Sequence, residues 1–133
     1  NAPSTTHSFE FDPKNILPQF APWIQSNTLQ IHAVGLHMHY LGQKGRLEVQ
    51  KYSGENQCLL QIDHWDFNWQ SGYFLKEPVT FEIGKDKMYL ECEWDTTADN
   101  QPVINGVPRT PSDVVWGSDS DDEMCIGLFY VTE

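Results

Sequence analysis

Residues 28–40 read TLQIHAVGLHMHY, from Thr28 to Tyr40. Strand-forming residues dominate the stretch, which carries no helix-capping residue pattern and shows no 3.6-residue spacing. Strict alternation of apolar and polar positions is blurred, yet the composition predicts one long strand over 28–40. Working outward, residues 45–52 (GRLEVQKY) and 58–63 (CLLQID) predict two further strands, joined by the turn-forming Ser53-Gly54-Glu55-Asn56. Residues 79–83 and 88–94 predict another pair, joined by Gly84-Lys85-Asp86-Lys87, and residues 124–132 a last strand. Residues 20–25 allow one short helical turn, and nowhere does a longer helical period appear. Many short strands with turn signals between them predict an all-β fold, an antiparallel β-sandwich or jelly roll.

The length of 133 residues fits one domain with a real core. Residues 1–6 read as a polar, mobile arm in which Asn1-Ala2 matches a tag remnant. We take 1–27 as an N-terminal arm and 28–133 as the domain, which is expected to be one piece of a longer protein. Nineteen acidic against eight basic residues give a net charge of −11, which speaks against nucleic acid and anionic membrane surfaces as partners. No apolar run reaches the roughly 18 residues of a membrane span, and no secretory signal pattern opens the sequence. Residues 100–112 form a long connection containing Asn105-Gly106 and three prolines, and such connections often carry function.

Three cysteines leave at least one without an intrachain partner. Cys92 and Cys125 both fall in apolar strands and are the pair we favour; three reduced thiols remain the alternative, and the state of Cys58 stays open. No CxxC spacing suggests a zinc knuckle. His37-Met38-His39 is the most informative tripeptide. Along a strand alternate side chains share a face, so His37 and His39 point together, about 7 Å apart at the backbone, and can converge on one metal ion. Met124 is the candidate third donor, its thioether suiting copper better than zinc, magnesium or calcium. The competing reading is two polar-face histidines and a core methionine.

His37-Met38-His39-Tyr40-Leu41-Gly42 resembles the HxHxxG copper motif in the C-terminal domain of the copper type II, ascorbate-dependent monooxygenases, the family of peptidylglycine α-hydroxylating monooxygenase and dopamine β-hydroxylase. Asp122-Glu123-Met124-Cys125 resembles that family's second motif, a methionine ligand followed by a disulfide cysteine, and Cys92 stands where its partner is expected. Trp65-Asp66-Phe67-Asn68-Trp69-Gln70 looks more like bacterial members. The resemblance implies a jelly-roll domain whose His37, His39 and Met124 hold the copper that binds oxygen and carries out C–H hydroxylation. It implies a Cys92–Cys125 disulfide, ascorbate or another reductant as electron donor, a second copper domain in the native chain, and a periplasmic or secreted location. Of the other histidines, His7 falls in the arm, His32 alternates onto the face opposite the ligand pair and His64 stands alone, so no second copper site is expected.

The family's peptide-carboxylate anchors match Gly35, Ile126 and Leu128 here, so a C-terminal glycine substrate is not expected. The substrate, whether small molecule or peptide, stays undefined. Trp65 and Trp69 share a face if their segment is extended and are candidates for a substrate surface; Asp66 is a candidate acceptor for a ligand imidazole. The acidic Asp119, Asp121, Asp122 and Glu123 are read as a solvated loop in preference to a Ca²⁺ site. Two rivals stand beside the monooxygenase reading: a non-catalytic copper-binding module, and a metal-free interaction or carbohydrate-binding sandwich.

Overall fold

A computed structural model describes residues 5–11, 14, 21–119 and 121–133. The strands are β1 (Thr5–Phe11), β2 (Thr28–His37), β3 (Gly42–Gln50), β4 (Asn56–Ile62), β5 (Gly72–Glu82), β6 (Lys87–Trp94), β7 (Val103–Ile104), β8 (Val107–Pro108) and β9 (Ile126–Thr132). Among the described residues there is no α-helix, only short 3-10 turns. One antiparallel sheet has the order β1-β6-β3-β4, and a second has the order β5-β2-β9. Their inner faces pack together, as the sandwich expectation requires. The core joins Ile31 and Leu36 of β2, and Met38 just beyond it, to Phe81 of β5, Leu47 and Val49 of β3, and Leu90 and Cys92 of β6. Burying each large side chain contributes roughly 1.5–3 kcal/mol.

Two sequence expectations need correction. The span taken as an arm contains β1, which pairs with β6 along its whole length, Thr5 opposite Trp94 through Phe11 opposite Met88. The first strand expected over 28–40 stops at His37. The suggested helical turn at 20–25 lies partly outside the described residues, and its described part forms a turn without a helix.

The blurred alternation of β2 has a structural cause. Leu29 and Ile31 face the core, then Val34, Leu36 and Met38 do. The switch from odd to even positions occurs at a β-bulge: Ile31 pairs with Val131 but Ala33 pairs with Tyr130, leaving His32 as the extra residue. On the other side, Ile31 pairs with Val79 and Ala33 with Phe74, so residues 75–78 leave the ladder at Pro78, which has no N–H to offer it. The bulge turns His37 away from the core, and His39, beyond the strand end, is buried at 5% exposure. It also corrects the expectation for His32, which lies on the outer face, bonded to Thr132 Oγ1 at 2.9 Å and packed on Tyr130.

Asp86, 2% exposed, ties two turns together. Its carboxylate accepts from Tyr52 N at 2.9 Å, Glu82 N at 2.9 Å and Lys51 Nζ at 3.0 Å. Burial pushes its pKa up, but these donors outweigh it and hold the carboxyl below its ordinary 3.8. In the long connection, Asn105 (φ 50°) and Gly106 (φ 82°) make the two-residue turn between β7 and β8.

Candidate metal centre

His37 ends β2 opposite Ile126 of β9, and the chain then turns through His39 into β3. Met38, fully buried in the core, anchors the step between the two imidazoles. The rings lie with centroids 5.0 Å apart and planes 82° apart, so the structure brings His37 and His39 together as alternation required.

Hydrogen bonds set the tautomer of both rings. His39 Nδ1 lies 3.1 Å from the carbonyl oxygen of Asp122, which can only accept, so Nδ1 carries the proton. His37 Nδ1 lies 2.6 Å from Gln70 Oε1. The Gln70 amide is oriented by its own Nε2, which donates to Phe67 O at 2.8 Å, so here too Nδ1 is the donor. Each ring therefore keeps its Nε2 lone pair free for a ligand, the arrangement in which an outer acceptor fixes a metal-binding imidazole.

The segment 122–126 runs beside the histidines. Glu123, 6% exposed, accepts from His39 N at 3.0 Å, Leu41 N at 2.7 Å and Trp94 Nε1 at 2.7 Å. This corrects the reading of the acidic run: Asp119 and Asp121 are exposed, whereas Glu123 is an interior acceptor. Met124 is half-buried between Glu123 and Cys125. Cys125 forms a disulfide with Cys92 of β6, Cα atoms 5.9 Å apart, and Cys58 is free and exposed. Among the described residues no three His, Cys, Asp or Glu side chains are grouped to hold a metal ion, so two imidazoles here need a different donor to complete a site.

The segment carrying Trp65, Asp66 and Trp69 is not extended; residues 67–69 form a 3-10 turn. Trp65 is half-buried and donates from Nε1 to His39 O at 3.1 Å. Its indole explains the motif glycine, since a Cβ at Gly42 would lie 2.7 Å from Trp65 Cδ1. Asp66 Oδ1 accepts from Asn68 N at 2.8 Å and caps that turn, and the imidazole acceptor is Gln70. Trp69 is 80% exposed. Phe67 reaches Tyr40 at 4.2 Å and His39 at 6.1 Å between centroids. Gln70 and Glu123 are the residues that sequence reasoning missed. An adjacent acid was visible in the motif, but nothing in the chain marked a glutamine 33 positions from His37.

A groove of about 500 Å³ runs from His37 along the outer face of the three-stranded sheet. Gly35 is paired with Gly72 on one side and Leu128 on the other, so two adjacent side chains are missing from its floor. Ala33 and Tyr130 continue it, and among the described residues no Lys, Arg, Asp or Glu lines it.

Residues 3–132 match the domain described as "Copper type II ascorbate-dependent monooxygenase, C-terminal domain". The chain is also 30% identical over 105 residues to human "DBH-like monooxygenase protein 1", and equally to the mouse protein of that name. The aligned stretch covers 77% of this chain and 15% of each relative, so the chain spans a small part of their length. Two motifs in register, the disulfide that ties the second motif to β6 and a match over nearly every residue agree: the chain belongs to the copper type II ascorbate-dependent monooxygenase family, as its C-terminal domain.

Proposed function

We propose that His37, His39 and Met124 hold one copper ion and that this domain is the oxygen-activating half of a C–H hydroxylating monooxygenase. The observation that carries this is the pair of imidazoles, 5.0 Å between centroids, each with Nδ1 committed to a carbonyl oxygen and Nε2 free. The donor chemistry fits: two imidazoles and a thioether suit a metal that cycles between Cu(I) and Cu(II). Held there, copper supplies one-electron chemistry with dioxygen and hydroxylation at carbon.

The chain's own residues do the positioning. Gln70 and the Asp122 carbonyl fix the ring tautomers. The disulfide ties Met124 to β6 through its neighbour Cys125. The uncharged groove beside His37 receives a substrate with no ionised group near the reacting carbon, in keeping with the missing carboxylate anchors at Gly35, Ile126 and Leu128. The domain would need electrons from ascorbate or another reductant, supplied by a second copper domain. His7 packs on Trp94, His32 bonds Thr132 and His64 is exposed. The Cys92–Cys125 disulfide supports an extracytoplasmic location.

A Cu(I) competition titration combined with X-ray absorption at the copper edge tests the assignment. The expected result is one tight Cu(I) per chain, bound by two nitrogens and one sulfur, with affinity lost in His37→Ala and the sulfur signal lost in Met124→Ala. Copper bound without sulfur, or equally well by both variants, overturns it.

A further inference from the structure

The geometry points to Glu123 as a positioning residue that holds His39 and Met124 as one rigid unit; the inference rests on the copper reading above. His39 is gripped at three places. Its N–H is donated to Glu123 Oε2 at 3.0 Å, its carbonyl accepts from Trp65 Nε1 at 3.1 Å, and its ring donates to the Asp122 carbonyl at 3.1 Å. Two of those three contacts come from the residues directly before Met124. The distance between the His39 backbone and the start of the Met124 side chain is thus fixed by one peptide step beyond a buried carboxylate.

The carboxylate suits this place for a reason that an amide does not meet. Oε1 accepts from Leu41 N at 2.7 Å, and Oε2 accepts from both His39 N and Trp94 Nε1. All three partners are N–H donors, so the glutamine isostere must set its NH₂ against one of them, whichever way it turns. Glu123 makes no ion pair among the described residues, and its charge is answered by these donors alone. Asp86 supplies a matched comparison: it is also a buried carboxylate with three donors, but at the far end of β6. A role in stability alone would make the two residues equivalent toward copper. A positioning role makes only Glu123 matter.

The test compares wild type, Glu123→Gln and Asp86→Asn by amide hydrogen exchange without metal and by Cu(I) titration. The expected result is that the amides of His39 and Leu41 are protected in wild type and in Asp86→Asn and lose protection in Glu123→Gln. Cu(I) affinity falls by about tenfold in folded Glu123→Gln, the order expected for an outer-sphere partner of a metal ligand. It is unchanged in Asp86→Asn although that variant is also less stable. Should Glu123→Gln not fold, Glu123→Asp keeps the charge, withdraws it by one methylene and carries the same two readouts. Equal copper affinity in Glu123→Gln and wild type overturns the inference, as does an equal loss in Asp86→Asn. If wild type binds no Cu(I), the copper reading fails by itself. The exchange data then decide the grip: selective loss of protection at His39 and Leu41 upholds it, and unchanged protection overturns it.

Discussion

At the residue scale, Asp86 ties the stability of the molecule to pH. The carboxyl of Asp86 has its pKa held below the ordinary 3.8 because its donors bond the charged form. A carboxyl lowered on folding stabilises the fold fully above its unfolded value and loses that contribution as pH falls through the folded one. Asp86→Asn should therefore cost about 2 kcal/mol near neutral pH, the scale of hydrogen bonds to a charged group. The gap to wild type should close as pH drops below about 3.8. Urea unfolding from pH 7 to pH 2 checks this, and a gap that stays constant throughout would contradict it. Residue identities alone revealed the ligand candidates, because His37 and His39 are separated by one position and backbone geometry does the rest. They did not reveal Gln70 or the buried role of Glu123. Each acts through a contact 33 or more positions away in sequence, where local pattern has no reach.

At the element scale, β2 is the strand on which both core and site depend. Its bulge at His32 lets Leu29 and Ile31 face inward together with Val34 and Leu36, and places His37 on the other face. Deleting His32 should leave a regular strand with the same inward set, so folding and Cu(I) affinity should survive. Deleting Gly35 reverses the faces beyond it, exposing Leu36 and Met38 at roughly 1.5–3 kcal/mol each and turning the imidazoles into the core. A thermal melt and Cu(I) titration of the two deletions separate these outcomes; similar behaviour of both would show that the bulge does not set the face. The sequence carried a trace of this feature in the uneven alternation of 28–40. It could not locate the bulge, because β9 and β5 impose it from about 100 and 50 positions away. For the same reason β1 read as an arm: its short, polar run becomes a strand only through β6.

At the scale of the whole molecule, two sheets and a disulfide bring together motifs from opposite ends of the chain. The bond between Cys92 and Cys125 closes a separation of 33 residues. Replacing both cysteines with serine should lower stability by about 2–4 kcal/mol and weaken Cu(I) binding, since Met124 then loses its covalent hold on β6. Urea midpoints and the Cu(I) titration report the two effects, and unchanged values in both would remove the disulfide from the account of the site. All-β architecture was legible in advance because strand composition is local; the Cys92–Cys125 pairing was implied by the family resemblance, since three cysteines alone allow three pairings. Packing of the groove was not, since it depends on Gly72 meeting Gly35 across two strands.

The same disulfide has a consequence for the exposed β7–β8 hairpin between its two ends. A protease that cut the hairpin tip would produce two polypeptides still joined through sulfur. Residues 37–39 would remain on one fragment and 122–125 on the other, facing each other as before. That tip is therefore a natural splice point, where a tag or sensor could be grafted while the metal centre keeps its shape.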